Sequence, residues 1–311
     1  MTMTAFLFPG QGSQSVGMLT QLALHSEVIG ETFTEASDVL GYDLWSVVQG
    51  GPEQHLNQTE ITQPAMLAAG VASWRAWRSL GGLEPEYMAG HSLGEYSALV
   101  AAGYLNFHAA VSLVRERARL MQAACPPGLG AMAAVLGLEE AALVEVCELS
   151  ALGQVVSCAN FNSPGQIVIA GERAAVERAC ERALATGAKR ALPLAVSVPS
   201  HCALMLPAAE EFAHFLAATE FATGAISVLH NADVQPHSDA QAIRAVLERQ
   251  LWQPVRWAET IAALATAGVR RFAECGPGKV LAGLNRRIVR EADTVALVDL
   301  AAMRETLEKW S

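Results

Sequence analysis

The chain is poor in the features that mark nucleic-acid binding, secretion or membrane insertion. Its 21 Lys and Arg are outnumbered by 31 Asp and Glu, giving a net charge of −10 over 311 residues. That balance excludes a broad basic stripe for tracking a phosphate backbone and leaves only local basic clusters to meet a small acidic partner. No uncharged apolar run approaches the ~18 residues of a membrane span. The opening Met1-Thr2-Met3-Thr4-Ala5-Phe6-Leu7-Phe8-Pro9-Gly10 has neither the positive region nor the long apolar core of an export signal. The six cysteines, Cys125, Cys147, Cys158, Cys180, Cys202 and Cys275, form no Cys-x-x-Cys pair. A reduced, cytoplasmic setting is therefore expected, with these residues acting as small buried groups. No Asp, Glu and His cluster has metal-site spacing, no internal repeat is present, and nothing suggests a paired apolar surface, so a metal-free monomer is expected.

What the chain has is 52% hydrophobic residues, enough for a large core over a length that fits one large domain or one domain carrying an insert. Ala5–Phe8 reads as a short buried strand stopped by Pro9-Gly10, and Gln11-Gly12-Ser13-Gln14 as a polar loop. Helical stretches follow at 31–40 and 63–80, the second with Pro64 in its first turn and Gly81-Gly82 at its end. Tyr87–Ala89 is a short strand, followed by helices at 93–102 and 107–124 that Gly103 separates. This alternation describes an α/β domain with a mainly parallel sheet. Pro126-Pro127-Gly128 marks a boundary, beyond which strands at 131–136, 155–160, 167–170 and 191–196 enclose helices at 139–149 and 173–186. The order β-α-β-β-α-β is that of a small split βαβ sandwich. Helices then return at 202–217, 240–251 and 257–267, with strands at 226–229 and 271–274 and a turn at Gly276-Pro277-Gly278. The expected organisation is a large α/β domain from 1–128 and 198–311, interrupted by a subdomain at 129–197.

The chemistry centres on Gly90-His91-Ser92-Leu93-Gly94, set between a strand and a helix. That context makes it a nucleophile elbow, a sharp turn that lifts one hydroxyl out of the backbone. A serine hydroxyl needs a base to take its proton and donors for the developing oxyanion. The helix start supplies N–H groups from Leu93 onward. Of eight histidines, His201 is the best base, because Val198-Pro199-Ser200-His201 follows a strand, where α/β active-site loops gather. His91 adjoins the serine but points away from it, which suits an orienting or packing role. No acidic third member stands out, so a backbone carbonyl or an amide is left to orient the imidazole. In the 107–124 helix Arg117 falls on the apolar face of Ala110, Val114, Ala118 and Met121. A guanidinium turned inward must be paired, either by an internal carboxylate or by a substrate acid that its planar fork fits. Gln250 similarly follows Leu247 on an apolar face and needs a partner. Gly10-Gln11-Gly12 lacks the lysine and spacing of a nucleotide loop and is rejected as one.

Taken together, Phe8-Pro9-Gly10-Gln11-Gly12-Ser13-Gln14, Gly90-His91-Ser92-Leu93-Gly94-Glu95-Tyr96-Ser97-Ala98-Leu99, Arg117, Asn160-Phe161-Asn162-Ser163-Pro164-Gly165-Gln166 and Val198-Pro199-Ser200-His201 closely resemble the malonyl-CoA:acyl carrier protein transacylase family of bacterial fatty acid synthesis. The likeness runs from about residue 5 to about residue 290. It implies an α/β-hydrolase-like large domain with a ferredoxin-like insert. It also implies malonyl transfer from malonyl-CoA to the phosphopantetheine thiol of acyl carrier protein, with no bound cofactor. Ser92 would carry the malonyl ester, His201 would act as base and then acid, and the Gln11 and Leu93 N–H groups would hold the oxyanion. Arg117 would clamp the malonyl carboxylate, the Gln250 carbonyl would orient His201, and Asn160 and Asn162 would line the cleft. A malonyl acyltransferase serving a polyketide synthase would use the same residues. Lys189, Arg190, Arg271, Arg286 and Arg287 are either solvated surface or a landing place for an acidic carrier.

Overall fold

The structure, a computed structural model, describes residues 2–126, 128–196 and 198–310. In chain order the first segment runs β1 (Met3–Phe8), α1 (Thr20–Ala23), α2 (Glu27–Leu40), α3 (Leu44–Gly50), α4 (Glu53–Leu56), α5 (Thr59–Ser79), β2 (Tyr87–Gly90), α6 (Gly94–Ala101) and α7 (Phe107–Ala124). The middle segment is β3 (Gly130–Leu136), α8 (Glu140–Ala151), β4 (Val156–Ser163), β5 (Gln166–Glu172), α9 (Arg173–Ala185) and β6 (Arg190–Pro193). The last contains α10 (Leu206–Ala218), β7 (Ser227–Leu229), α11 (Ala240–Gln250), α12 (Trp257–Thr266), β8 (Val269–Glu274), α13 (Val280–Ile288), β9 (Asp293–Ala296) and α14 (Leu300–Trp310).

The first and last segments share a five-stranded sheet in the order β7-β2-β1-β8-β9, every pair parallel. β1 lies at its centre, buried from Ala5 to Phe8, as a parallel sheet covered on both faces requires. Successive side chains serve opposite cores. Phe6 and Phe8 pack with Trp74 and Trp77 of α5, whereas Ala5 and Leu7 pack with Trp257 of α12 and Leu281 of α13. The middle segment forms a separate antiparallel sheet, β4-β5-β3-β6, with its own core of Val135, Leu143, Ile169 and Val176. This is an α/β-hydrolase-like fold carrying a ferredoxin-like unit. The two parts are stitched by backbone bonds from Val255 N–H to Ala159 O and from Phe161 N–H to Val255 O. Among the described residues no helix is long and apolar enough to cross a membrane.

Two expectations need correction. α5 starts at Thr59, so Pro64 lies inside the helix rather than in its first turn. An interior proline costs about 3 kcal/mol. Here the helix is buried without interruption from Thr62 to Trp74, and that packing outweighs the lost hydrogen bond. β6 ends at Pro193 instead of reaching Val196. Pro193 sits on this edge strand without interrupting it, since Leu194 N–H still donates to Met132 O. The strand ends beyond it because Val196 N–H turns back to Leu194 O, and Leu194 and Val196 line the cleft between the two sheets. The expected boundary residue Pro127 lies outside the described residues.

Candidate active site

Ser92 stands where β2 hands over to α6, in a left-handed conformation with φ of 51°. The flanking glycines are demanded by backbone proximity. A Cβ on Gly90 would lie 1.9 Å from the Gly94 carbonyl carbon, and one on Gly94 would lie 2.0 Å from the Phe8 carbonyl oxygen. Gly10, across the turn, comes equally near, with a hypothetical Cβ 2.3 Å from the His91 oxygen. The strained serine is pinned by Asn231, whose Oδ1 accepts from Ser92 N–H at 2.6 Å and whose Nδ2 donates to Gly90 O at 2.7 Å.

Ser92 Oγ lies 2.7 Å from His201 Nε2. On the far side of the ring Nδ1–H donates to the Gln250 backbone carbonyl at 2.7 Å. That bond fixes the tautomer, leaving Nε2 bare to receive the serine proton. The imidazole is buried, and burial together with the nearby Arg117 guanidinium lowers its pKa to about 3. It is therefore neutral at physiological pH. The orienting third member is a main-chain oxygen, which explains why no acidic residue stood out.

Leu93 and Gln11 both border the cleft beside Ser92. Among the described residues no acceptor takes either backbone N–H. The Gln11 loop is anchored instead through its side chain, whose Oε1 accepts from Thr59 Oγ1, and through Gly12 N–H, which donates to Gln14 Oε1. Two unspent donors thus belong to residues that border the cleft beside the nucleophile.

Arg117, on α7, is 1% exposed. Its Nη1 donates to Gln63 Oε1 at 2.8 Å and its Nη2 to Gln250 Oε1 at 3.0 Å, with Ser92 Oγ 3.4 Å from Nη2. The guanidinium lies over the Tyr96 ring, 5.5 Å from its centre. Burial lowers its pKa from the usual value. Among the described residues no carboxylate comes within ion-pair distance of it, and Nε has no hydrogen-bond partner. Of the two partners left open by the sequence, an internal carboxylate is thus not in contact. The cation is held by neutral amide oxygens that aim it at the nucleophile and leave its charge to meet an anionic ligand.

The cleft encloses about 210 Å³ and brings Gln11, Ser92, Leu93, Arg117 and His201 together with Asn160 and Asn162 of β4. Gln250 sits behind them, fully enclosed. Asn162 Oδ1 lies 2.8 Å from His91 Nε2, and the His91 ring packs on Trp257. His91 therefore ties the elbow to the small sheet, the orienting role its position suggested. The basic candidates are partly spent on structure: Arg271 donates to Trp310 O, Arg286 to Thr294 O and Arg287 to Gln166 Oε1. Among the described residues no group of three or more His, Cys, Asp or Glu could hold a metal.

Sequence reading missed Gln63, Glu95, His230 and Asn231. Gln63 was placed at a helix start, and Asn231 is 139 residues from the serine it pins. A signal existed for Glu95 alone, a charge in the first turn of a helix whose next residues are all apolar or small.

Comparisons with known proteins agree with this fold. The model of the acyl transferase domain family matches residues 5–308. The malonyl CoA-acyl carrier protein transacylase of Salmonella typhimurium is 55% identical over 307 residues, covering 99% of both chains. That of Bacillus subtilis is 43% identical over 300 residues, covering 96% of this chain and 94% of its own. Among solved structures, the malonyl CoA-acyl carrier protein transacylase from Coxiella burnetii superposes with a TM-score of 0.98 at 49% identity, covering 99% of this chain and 98% of that one. A malonyl-transacylase solved with its type II PKS acyl-carrier protein also gives a TM-score of 0.98, at 54% identity, over 99% and 100% of the two chains. With its fold and nearly all of its length matched, the chain belongs to the malonyl-CoA:acyl carrier protein transacylase family.

Proposed function

We propose that the chain moves a malonyl group from malonyl-CoA to the phosphopantetheine thiol of holo acyl carrier protein through a malonyl ester on Ser92. The observation that carries this reading is the buried Arg117, paired only with neutral oxygens and 3.4 Å from the Ser92 hydroxyl. A substrate with a reactive carbonyl and a free carboxylate two carbons away can place one group at each.

In the first half-reaction the malonyl carboxylate meets Arg117 and the thioester carbonyl sits over Ser92. His201 Nε2 takes the hydroxyl proton as Oγ bonds to the carbonyl carbon. The Gln11 and Leu93 N–H groups hold the oxyanion. On collapse the C–S bond breaks, and His201 returns its proton to the leaving CoA sulfur. In the second half the carrier's thiol loses its proton to His201 and attacks the ester, and Ser92 leaves as the alkoxide that recovers that proton. The anionic substrate also offsets the Arg117 charge, one of the causes that depress the His201 pKa, so binding makes the base stronger as the reaction begins. Asn160 and Asn162 line the path of the substrate between the sheets.

The functional test is transfer of labelled malonate to holo carrier with none to the apo carrier; equal labelling of both would end the reading. A second reading, supply of a polyketide carrier, draws on the likeness to the malonyl-transacylase solved with its type II PKS carrier. Side-by-side assay with both carrier types separates the two. We further propose that residues 129–197 act as the inserted domain. The protein would work as a cytoplasmic monomer, a setting in which its six unpaired thiols stay reduced. Sedimentation and cell fractionation test those last points.

A further inference from the structure

Directly beneath the elbow lies a carboxylate that none of the steps above employs. Glu95, in the first turn of α6, is 0% exposed. Its Oε1 lies 2.7 Å from His230 Nδ1, and its Oε2 accepts from Asn231 N–H at 2.9 Å and from Gln250 Nε2 at 2.8 Å. Three donors converge on a group that, ionised, can only accept.

Two of those donors belong to residues that touch the reacting groups. Asn231 spans the turn, gripping Ser92 N–H and Gly90 O with its side chain. Gln250 gives its backbone carbonyl to His201 and its side-chain Oε1 to Arg117, while its Nε2 also donates to Ser92 O at 3.0 Å. The Gln250 side-chain amide has two orientations related by a half-turn about its last bond. Turned over, its oxygen would face the Glu95 carboxylate and the Ser92 carbonyl, and its NH2 would face the guanidinium: acceptor against acceptor, donor against donor. The carboxylate thus selects the orientation that presents an acceptor to Arg117.

We propose that Glu95 is a positioning residue for malonyl selection, acting through Gln250 on the Arg117 fork and through Asn231 on the Ser92 elbow. It touches neither substrate nor reacting atoms. Its role is to hold the carboxylate clamp and the nucleophile in one frame, so that the malonyl acid and the thioester carbonyl are met together. This rests on the reading of Ser92 as nucleophile and Arg117 as clamp.

The test compares Glu95→Leu with Glu95→Gln in the full-length enzyme, reading acylation by malonyl-CoA and by acetyl-CoA per acylatable site. A glutamine oxygen at the Oε2 position can still accept from Asn231 and Gln250, and its NH2 can donate to His230 in the other tautomer. Glu95→Gln should therefore keep the malonyl-over-acetyl preference within about threefold of wild type, whereas Glu95→Leu, which leaves the donors bare, should lower it roughly tenfold or more. A merely structural role would reduce the number of active sites and leave the preference per site untouched. An unchanged preference in Glu95→Leu, or a Glu95→Gln preference as low as that of Glu95→Leu, overturns the proposal. If Glu95→Leu does not fold, Gln250→Leu decides: it keeps the carbonyl on His201 but cuts the path to Arg117. Lost preference there supports the proposal, and wild-type preference overturns it. Arg117→Leu is the control. If that variant retains the preference, the clamp itself has been misread, a failure distinct from that of Glu95.

Discussion

Replacing Arg117 by leucine separates substrate recognition from everything else the site does. The side chain reaches the cleft from α7 with two amide oxygens behind it and the Ser92 hydroxyl in front. Its removal deprives a bound malonyl group of a buried, charge-assisted partner, a loss of about 2–5 kcal/mol where such pairs have been truncated. At about 1.4 kcal/mol per tenfold, kcat/KM for malonyl-CoA should fall roughly 30- to 4,000-fold. Acetyl-CoA offers no carboxylate and should lose far less. The variant will also be less stable, since Gln63 and Gln250 each keep an unpaired oxygen at about 1–3 kcal/mol. That penalty is shared by both substrates and cancels in their ratio. The assay is the burst of CoA release from each thioester under single-turnover conditions, with active sites counted by acylation. Equal losses for the two would refute the idea that the cation reads the substrate's free acid.

Protonation of His201 sets a second expectation. With its pKa lowered to about 3, the free enzyme keeps a neutral base far below the usual histidine range. The acid limb of kcat/KM should therefore fall well under pH 6, and a limb centred near 6.5 would contradict the buried geometry. Bound malonate relieves the Arg117 effect, so the acid limb of kcat should sit higher than that of kcat/KM. For stability the sign is fixed by proton counting. The unfolded chain binds a proton at this histidine below about 6.5 and the native one does not until about 3, so stability drains away as pH falls between those values. The limit is on the order of 5 kcal/mol. His91, also lowered by burial, acts in the same direction, and melts across this range read the slope. Gly94→Ala forces a Cβ to 2.0 Å from the Phe8 carbonyl. Relief by backbone movement should cost about 1–3 kcal/mol or more and disable acylation; a normal melt with full activity would contradict the turn described.

Much of this site was legible because its chemistry is local. Gly90 to Gly94 carry strand end, turn, nucleophile and helix start within five residues, and the collisions measured at Gly90 and Gly94 are what the motif encodes. Arg117 and Gln250 could be singled out because each breaks an apolar helix face, a misfit visible without any structure. Their partners could not. The pairing of Arg117 with Gln63 and of Glu95 with His230 joins residues 54 and 135 apart, which periodicity cannot express. The role proposed for Gln11 and the bond from the Gln250 carbonyl to His201 both involve main-chain atoms, so side-chain identity says little about them; family resemblance points to them first. The start of α5 and the end of β6 differ from the sequence expectation, once because packing overrides the breaker Pro64 and once because the chain turns back on itself between Leu194 and Val196.

The most direct measurement is the intact mass of the enzyme after exposure to malonyl-CoA, with the adduct mapped by peptide and the sample then mixed with holo carrier. The account requires one malonyl group per chain, located on Ser92, absent from Ser92→Ala, and discharged by the carrier thiol. A malonyl adduct on any other residue, or its persistence in Ser92→Ala, would contradict it.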